Sequence, residues 1–311
     1  MRTIVILGGT SHIAKGLISC FLERPELRIE WFGRSAERME LFLKSERLSG
    51  GITLHEGYDE LFATPADLLV NCVGAGTPGE LAGDCNRWFS VLQKFDDLAL
   101  DYLQRVNDSA LYVMFSSGAV YGRRHGEPVR PEDAWSLCPN AVSPQDYYGI
   151  CKLYSEAKHR SLPRLRIADL RIFSYFSRFA PLDAGYFMTD LVSALVRGEV
   201  FVTQHGDIVR DYPHPADLAS LVLRCAAEKE INTAFDVASA CGVSKFEILR
   251  TFEERFSLKW RFGDGGPESP NGRANVYLPA GSTAEKLLDW KAQYTSLATL
   301  AGETQAILKG R

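Results

Sequence analysis

Thr3-Ile4-Val5-Ile6-Leu7, running into Gly8-Gly9-Thr10-Ser11-His12-Ile13-Ala14, is the stretch on which the fold turns. The first five residues are an unbroken apolar run. That is the pattern of a strand buried on both faces. A turn of small residues follows, and then a helix-like segment from Ile13 to Glu23. A strand that enters a helix through such a turn is the opening unit of a parallel α/β sheet. Its exposed backbone N–H groups and the helix dipole attract a diphosphate. The usual three-glycine fingerprint is degraded here. Gly8 fits the first position, Ser11 (or His12) stands at the second, and Ala14 takes the third. Read alone, the turn is a weak motif, and a tight strand-to-helix turn that binds nothing is its alternative.

The pattern repeats outward from this unit. Arg28 to Phe32 reads as a second strand, and Ser35 to Leu48 as a helix stopped near Gly50-Gly51. Leu68 to Val73 is another buried strand, broken by Gly74 and Gly76. Leu111 to Phe115 and Leu165 to Phe173 are two more. Strands that alternate with helices imply parallel pairing through crossover helices. A long helix is expected over Asn86 to Val106, with one apolar stripe at helical spacing. A second is expected to open at Ser143-Pro144-Gln145-Asp146, with Ser143 as cap, and to run to about His159. Beyond residue 173 the pattern loosens. Helices read over Leu191–Val196 and Asp217–Ala227, and short strands over Val200–Thr203 and Phe235–Val237. A capping box, Ser244 with Glu247, leads a helix to about Phe256, and Gly263 to Gly272 reads as loop. We therefore expect a domain over residues 1–173 and a smaller α/β lobe over 174–311, with elements returning to the sheet.

Composition removes several function classes. The chain has 311 residues, 46% hydrophobic and 24% charged, with a formal net charge of −4. Those are values for a globule that buries its own core. They give no cationic footprint for nucleic acid. No apolar run approaches the ~20 residues of a membrane span. The seven cysteines form no CxxC pair, which argues against zinc and disulfide frameworks. Cys72 reads as a small core residue. A reduced, soluble, cytoplasmic protein is expected.

Two segments carry chemistry. The second strand ends Gly33-Arg34-Ser35, with Arg38 one turn further on. An NAD site places a carboxylate at this strand end to hold the ribose 2′-hydroxyl. A guanidinium and a hydroxyl suit a 2′-phosphate instead, which favours NADP and leaves NAD possible. Tyr148-Gly149-Ile150-Cys151-Lys152 places a phenol and an ammonium on one helix face. A nearby ammonium lowers a phenol's pKa toward neutrality. About 30 residues upstream lies Phe115-Ser116-Ser117-Gly118-Ala119-Val120-Tyr121-Gly122, at the carboxyl end of a parallel strand where open α/β sheets place ligands.

Together these motifs resemble the extended short-chain dehydrogenase/reductase superfamily, in its NAD(P)-dependent nucleotide-sugar epimerase/dehydratase/reductase group. The resemblance covers nearly all of residues 2–300. It extends to Leu170-Arg171-Ile172-Phe173, to Gly206 through Ala219, and to the tail from Arg273 to Trp290. It implies a doubly wound, Rossmann-like sheet and a nucleotide-diphosphate sugar as substrate. By position, Tyr148 would be the acid/base, Lys152 would hold the nicotinamide ribose, and Ser117, with Ser116 as rival, would bond the sugar C4 oxygen. Arg210 and Arg273 would grip the diphosphate, a task suited to guanidinium forks. The turn residues Gly8, Thr10, Ser11, His12 and Ile13, then Arg34, Ser35, Arg38 and Cys72-Val73-Gly74, would line the cofactor. Ser174 would face the substrate. The family often has Asn where this chain has Asp96-Asp97, and again where it has Ser174; it usually has Val where this chain has Pro215. His214 reads as structural. Relatives pair through their two long helices, so a homodimer is expected.

The residues after Ser117 narrow the reaction. Dehydratases of the group carry Asp-Glu there, and GDP-fucose-synthase-like enzymes carry a Cys two residues on. Gly118-Ala119 can move no proton. What remains is hydride transfer at C4. The residues favour an NADPH-dependent 4-keto-6-deoxysugar reductase of surface polysaccharide synthesis, with a nucleotide-sugar 4-epimerase as the alternative. A non-catalytic NADP-binding regulator is a third reading.

Overall fold

The computed structural model describes residues 2–74, 84–122, 126–263 and 275–310. Six strands build most of the main sheet: β1 (Arg2–Leu7), β2 (Leu27–Gly33), β3 (Ile52–Glu56), β4 (Leu68–Asn71), β5 (Leu111–Ser117) and β6 (Arg166–Ile172). Smaller strands follow: β7 (Phe201–Thr203), β8 (Val209–Arg210), β9 (Asn232–Asp236), β10 (Val243–Ser244), β11 (Trp260–Phe262) and β12 (Val276–Tyr277). The sheet order is β3-β2-β1-β4-β5-β6-β9, and each of its pairings is parallel. It is a doubly wound, Rossmann-like α/β sheet. The order reverses between β1 and β4, which opens a crevice at their carboxyl ends.

The helices are α1 (His12–Phe21), α2 (Ala36–Ser45), α3 (Asn86–Arg105), α4 (Tyr147–Arg160), α5 (Phe187–Arg197), α6 (Pro215–Ala227), α7 (Lys245–Phe256), α8 (Thr283–Leu288) and α9 (Ser296–Lys309). Successive side chains on β1 point to opposite faces. Ile4 and Ile6 join a core with α1, α2 and α6, while Val5 and Leu7 join one with α3. That double burial is why the run is apolar throughout. β9 comes from the second half of the chain yet pairs with β6. The remaining lobe has its own core of Phe176, Leu191, Phe201, Ile248 and Phe252. No helix among the described residues is long and apolar enough to cross a membrane.

Two sequence expectations change. α4 begins at Tyr147, not at Pro144. The Ser143 N–H and hydroxyl both bond the Asp146 carboxylate, at 3.0 and 2.8 Å. This closes a separate turn before the helix. β3 was not expected. It is an edge strand whose residues are mostly half-buried, so it lacks the continuous apolar run of the central strands. The glycine-rich stretch from 264 on, with Arg273 in it, lies outside the described residues, as does Gly76.

One close approach fixes the geometry near the sheet's carboxyl edge. β5 ends in a 3₁₀ turn, Gly118–Tyr121, capped by Ser117 Oγ, which accepts from the Ala119 N–H at 3.2 Å. Gly149 of α4 lies against that turn, and a Cβ there would strike the Ala119 carbonyl oxygen. Trp135 covers the same junction. A Cβ at Gly122, whose φ is +75°, would lie 2.7 Å from its ring. Gly149→Ala should therefore push α4 off the turn. We expect about 1–3 kcal/mol of lost stability by urea unfolding. A variant as stable as the parent would show that the helix can give way at no cost.

Candidate active site

The crevice is built from the carboxyl ends of β1, β2, β4, β5 and β6. At its floor, Gly8 adopts φ +82°, and a Cβ there would sit 2.7 Å from the backbone of Cys72 and Val73. Only glycine brings the β1 turn this close to the β4 end. Gly9 is required by a different neighbour, because a Cβ would run into the Trp31 indole. Thr10 follows in the same turn. Ser11 caps α1, with its Oγ accepting from the Ala14 N–H at 3.1 Å. The serine at the degraded second glycine position is thus a helix cap. His12 opens α1 and Ile13 packs against the sheet core. The His12 ring lies edge-on to Tyr175 at 5.1 Å, and burial, helped by Lys15, drives its pKa down to about 4. It enters the site neutral.

At the β2 end, a Cβ on Gly33 would lie 2.8 Å from Met39 Sδ. A side chain at that position would have to displace the flexible end of Met39. Arg34 is exposed. Ser35 caps α2, and the Arg38 N–H donates to its Oγ at 3.3 Å. At the β4 end, Cys72 is buried and its thiol is pushed well up by burial. The Val73 N–H donates to Asn71 Oδ1 at 3.0 Å, and Gly74 is exposed. A tight positive-φ turn, a capped helix N-terminus and a facing strand end together fit a dinucleotide.

The candidate reacting groups gather around β5. Lys152 is buried, and its Nζ donates to the Phe115 carbonyl at 2.6 Å while lying 5.9 Å from the centre of the Tyr148 ring. Burial lowers its pKa, partly opposed by Cys151 and Asp96. Trp88 of α3 packs on the Tyr148 ring at 4.7 Å. The two candidate serines separate cleanly. Ser116 Oγ donates to Glu156 at 2.5 Å, and Glu156 is held by Arg171 at 2.6 Å. Arg171 also bonds Tyr121, whose hydroxyl donates to Asp236 at 2.9 Å. Ser116 therefore belongs to a buried ion-pair network behind the strand. Ser117 turns the other way, with its Oγ 3.3 Å from the Tyr277 hydroxyl.

In the sequence Tyr277 reads only as part of the tail that carries the resemblance, with no site role. Strand β12 pairs with β8 so that Tyr277 faces Arg210, whose guanidinium carbon lies 5.7 Å from the ring centre. Arg210 is buried and donates from Nη1 to the carbonyls of Val209 and Asn275. No local pattern announces a pairing between segments this far apart. Phe173 joins the same wall, at 5.1 Å from Tyr277, and covers Gly118 so closely that a Cβ there would enter its ring. The strand-end position is thus closed to a carboxylate sterically as well as by composition. Ser174 follows Phe173 and is half-buried. His214 is indeed structural: its Nδ1 accepts the Ala216 N–H at 3.1 Å to cap α6, and its ring stacks on Tyr294 at 3.9 Å.

Comparison with known proteins agrees with this geometry. The chain is 27% identical over 206 residues to UDP-glucose 4-epimerase 4 of Oryza sativa subsp. japonica, covering 58% of this chain and 53% of that protein. It is 27% identical over 212 residues to a UDP-glucose 4-epimerase of Bifidobacterium longum, covering 59% and 58%. The chain spans about half the length of the curated relatives it matches. Among solved structures, UDP-glucose-4-epimerase from Stenotrophomonas maltophila, with NAD and formylated UDP-arabinopyranose, superposes at a TM-score of 0.81 and 18% identity over 100% of both chains. UDP-N-acetylglucosamine 4-epimerase from Methanobrevibacter ruminantium M1, in complex with UDP-N-acetylmuramic acid, gives 0.81 and 17% over 100% and 99%. These two likenesses show a shared fold. A family match spans residues 4–238, the whole of the crevice described above up to the end of β9, and by it the chain belongs to the NAD dependent epimerase/dehydratase family.

Proposed function

We propose that this protein is a nucleotide-sugar 4-epimerase that works through reversible oxidation at the sugar C4. The observation that carries the reading is the meeting of Ser117, Tyr148 and Lys152 at the end of β5, with no acid at 118 or 119. The named 4-epimerases among its relatives support it. A dinucleotide bound along the β1 turn would supply the hydride acceptor and donor. Tyr148 takes the proton from the C4 hydroxyl and returns it. Ser117 donates a hydrogen bond to the same oxygen. Lys152, desolvated beneath the phenol, favours its ionised form. Arg210, with Arg273, holds the substrate diphosphate. The turn from Gly8 to Ile13, and Cys72, Val73 and Gly74, hold the cofactor.

A second reading, an NADPH-dependent 4-keto reductase, uses the same three residues. It is favoured by one feature: the β2 end carries Gly33 in place of a carboxylate for a 2′-hydroxyl, and Arg34, with Ser35 and Arg38 nearby, suits a 2′-phosphate. Under either reading we propose a cytoplasmic enzyme of surface-polysaccharide supply, divided near residue 173, that dimerises through α3 and α4. Tyr154, half exposed on α4, is available for that contact.

Incubation with UDP-glucose or UDP-galactose, without added cofactor, should interconvert the two. NADPH oxidation with nucleotide-linked 4-keto-6-deoxysugars, and no interconversion, would select the reductase instead. Tyr148→Phe should abolish turnover and leave dinucleotide binding intact; equal loss of both would make Tyr148 structural. Ser117→Ala should cost roughly 10²-fold in turnover. Ser116→Ala should instead lower stability by about 1–3 kcal/mol, since it strips a hydrogen bond from buried Glu156. The reverse pattern would exchange the two roles. Arg34→Ala should weaken NADP binding about fivefold more than NAD binding; equal effects would remove the argument for a 2′-phosphate.

A further inference from the structure

Behind the crevice lies a buried charge cluster that the reaction does not use. His159 of α4 is fully buried, with Nε2 2.8 Å from Asp96 Oδ1 on α3 and Nδ1 2.7 Å from Asp169 Oδ1 on β6. Arg160 bonds Asp169 at 2.6 Å, and Lys158 pairs with Asp96 and, at 2.8 Å, with Asp97. From β5, the Tyr112 ring lies edge-on to His159 at 5.5 Å. From β9, Asn232 Nδ2 donates to the His159 carbonyl at 3.1 Å. These are the groups that face the imidazole from each side.

The cluster is tied to the cofactor turn by an unbroken series of hydrogen bonds. The Tyr112 hydroxyl donates to Asp96 Oδ1 at 2.9 Å. Asn71 Nδ2 donates to the Tyr112 oxygen at 3.1 Å. The Val73 N–H then donates to Asn71 Oδ1 at 3.0 Å. Each donor in the series points toward the Asp96 carboxylate. Such a chain is polarised along its length and anchored by the charge at its end.

We infer that Asn71, Tyr112 and Asp96 are positioning residues for the turn after β4, fixed from behind by the doubly bonded imidazolium of His159. The inference rests on reading that turn as part of the dinucleotide site. Only the protonated ring donates to both carboxylates at once. Burial works against that cation, but the bonds to Asp169 and Asp96 outweigh it and raise the His159 pKa from 6.5 to about 9. Burial also works against the Asp96 carboxylate, yet His159 and Lys158 hold it below its ordinary value. A group whose pKa is raised on folding stabilises below its unfolded value and loses that contribution as pH climbs through the folded one. The anchor is therefore intact at neutral pH and lost near pH 9.

The test cuts the series away from Ser117, Tyr148 and Lys152. In Tyr112→Phe, the Val73 amide of the ligand-free protein should exchange about tenfold faster, while amides in α1 and β1 stay as they were. Cofactor affinity, read by titration with NAD and NADP, should fall severalfold. Asn71→Ser breaks the next link and should give the same result if Tyr112→Phe folds poorly. Parent affinity should decline as pH rises through about 9, and His159→Gln should remove that decline. Unchanged Val73 exchange in both variants that cut the series would overturn the inference, as would an unchanged alkaline decline in His159→Gln. A parent protein that binds neither dinucleotide would overturn the cofactor reading itself, and Val73 exchange would still decide whether the series holds the turn.

Discussion

The contact between Gly149 and the Ala119 carbonyl is the constraint on which the site depends. β5 delivers Ser117 to the sheet edge, and α4 carries Tyr148 and Lys152 one turn apart. Neither element brings the three together alone. A helix normally stands off a strand by the thickness of its side chains. Here the missing Cβ lets the α4 backbone settle onto the turn after Ser117. Lys152 then reaches the Phe115 carbonyl, two residues before the serine. Packing that cannot relax is what holds reacting groups to within a fraction of an ångström.

The electrostatics divide along the same strand. Behind β5, Glu156, Arg171, Tyr121, Asp236 and Ser116 satisfy one another in a closed, buried array. Buried charges persist only when paired in this way. On the opposite face Ser117, and on α4 Lys152, one helical turn before Glu156, are bonded only to a tyrosine hydroxyl and backbone groups among the described residues. Adjacent serines in one strand point to opposite faces, so one residue of sequence separates a structural role from the chemical one we propose for Ser117. The same alternation puts Asn71 and Tyr112 on the side of α3, where Asn71 bonds Tyr112 and Tyr112 bonds Asp96.

Much of this was legible in the sequence because the signals were local. An apolar run such as Thr3–Leu7 reports burial on both faces directly, and Tyr148 and Lys152 meet through helical spacing alone. Long-range pairings were not legible. Tyr277 reaches Ser117 only because β12 finds β8, and Asp96 owes its state to His159, 63 residues away. β3 was missed because an edge strand has no reason to be apolar throughout. The start of α4 was misplaced because Ser143 and Asp146 carry the residues of a cap, yet bond each other instead of the helix. The serine at the middle glycine position read as damage to a motif. In the fold it is a working helix cap, and a fingerprint that scores glycines cannot register that.

Phe173 leaning on Gly118 bears on how this scaffold can change. An acid at the strand end is the most direct route from this arrangement to the elimination of water. Such a replacement would collide with the phenyl ring before it could do any chemistry. The ring must shrink or swing aside first, and it also braces Tyr121 and Tyr277. An acid at position 118 is therefore coupled to Phe173, which must move or be replaced to admit it. A chain carrying this pair is held away from that acid by sterics.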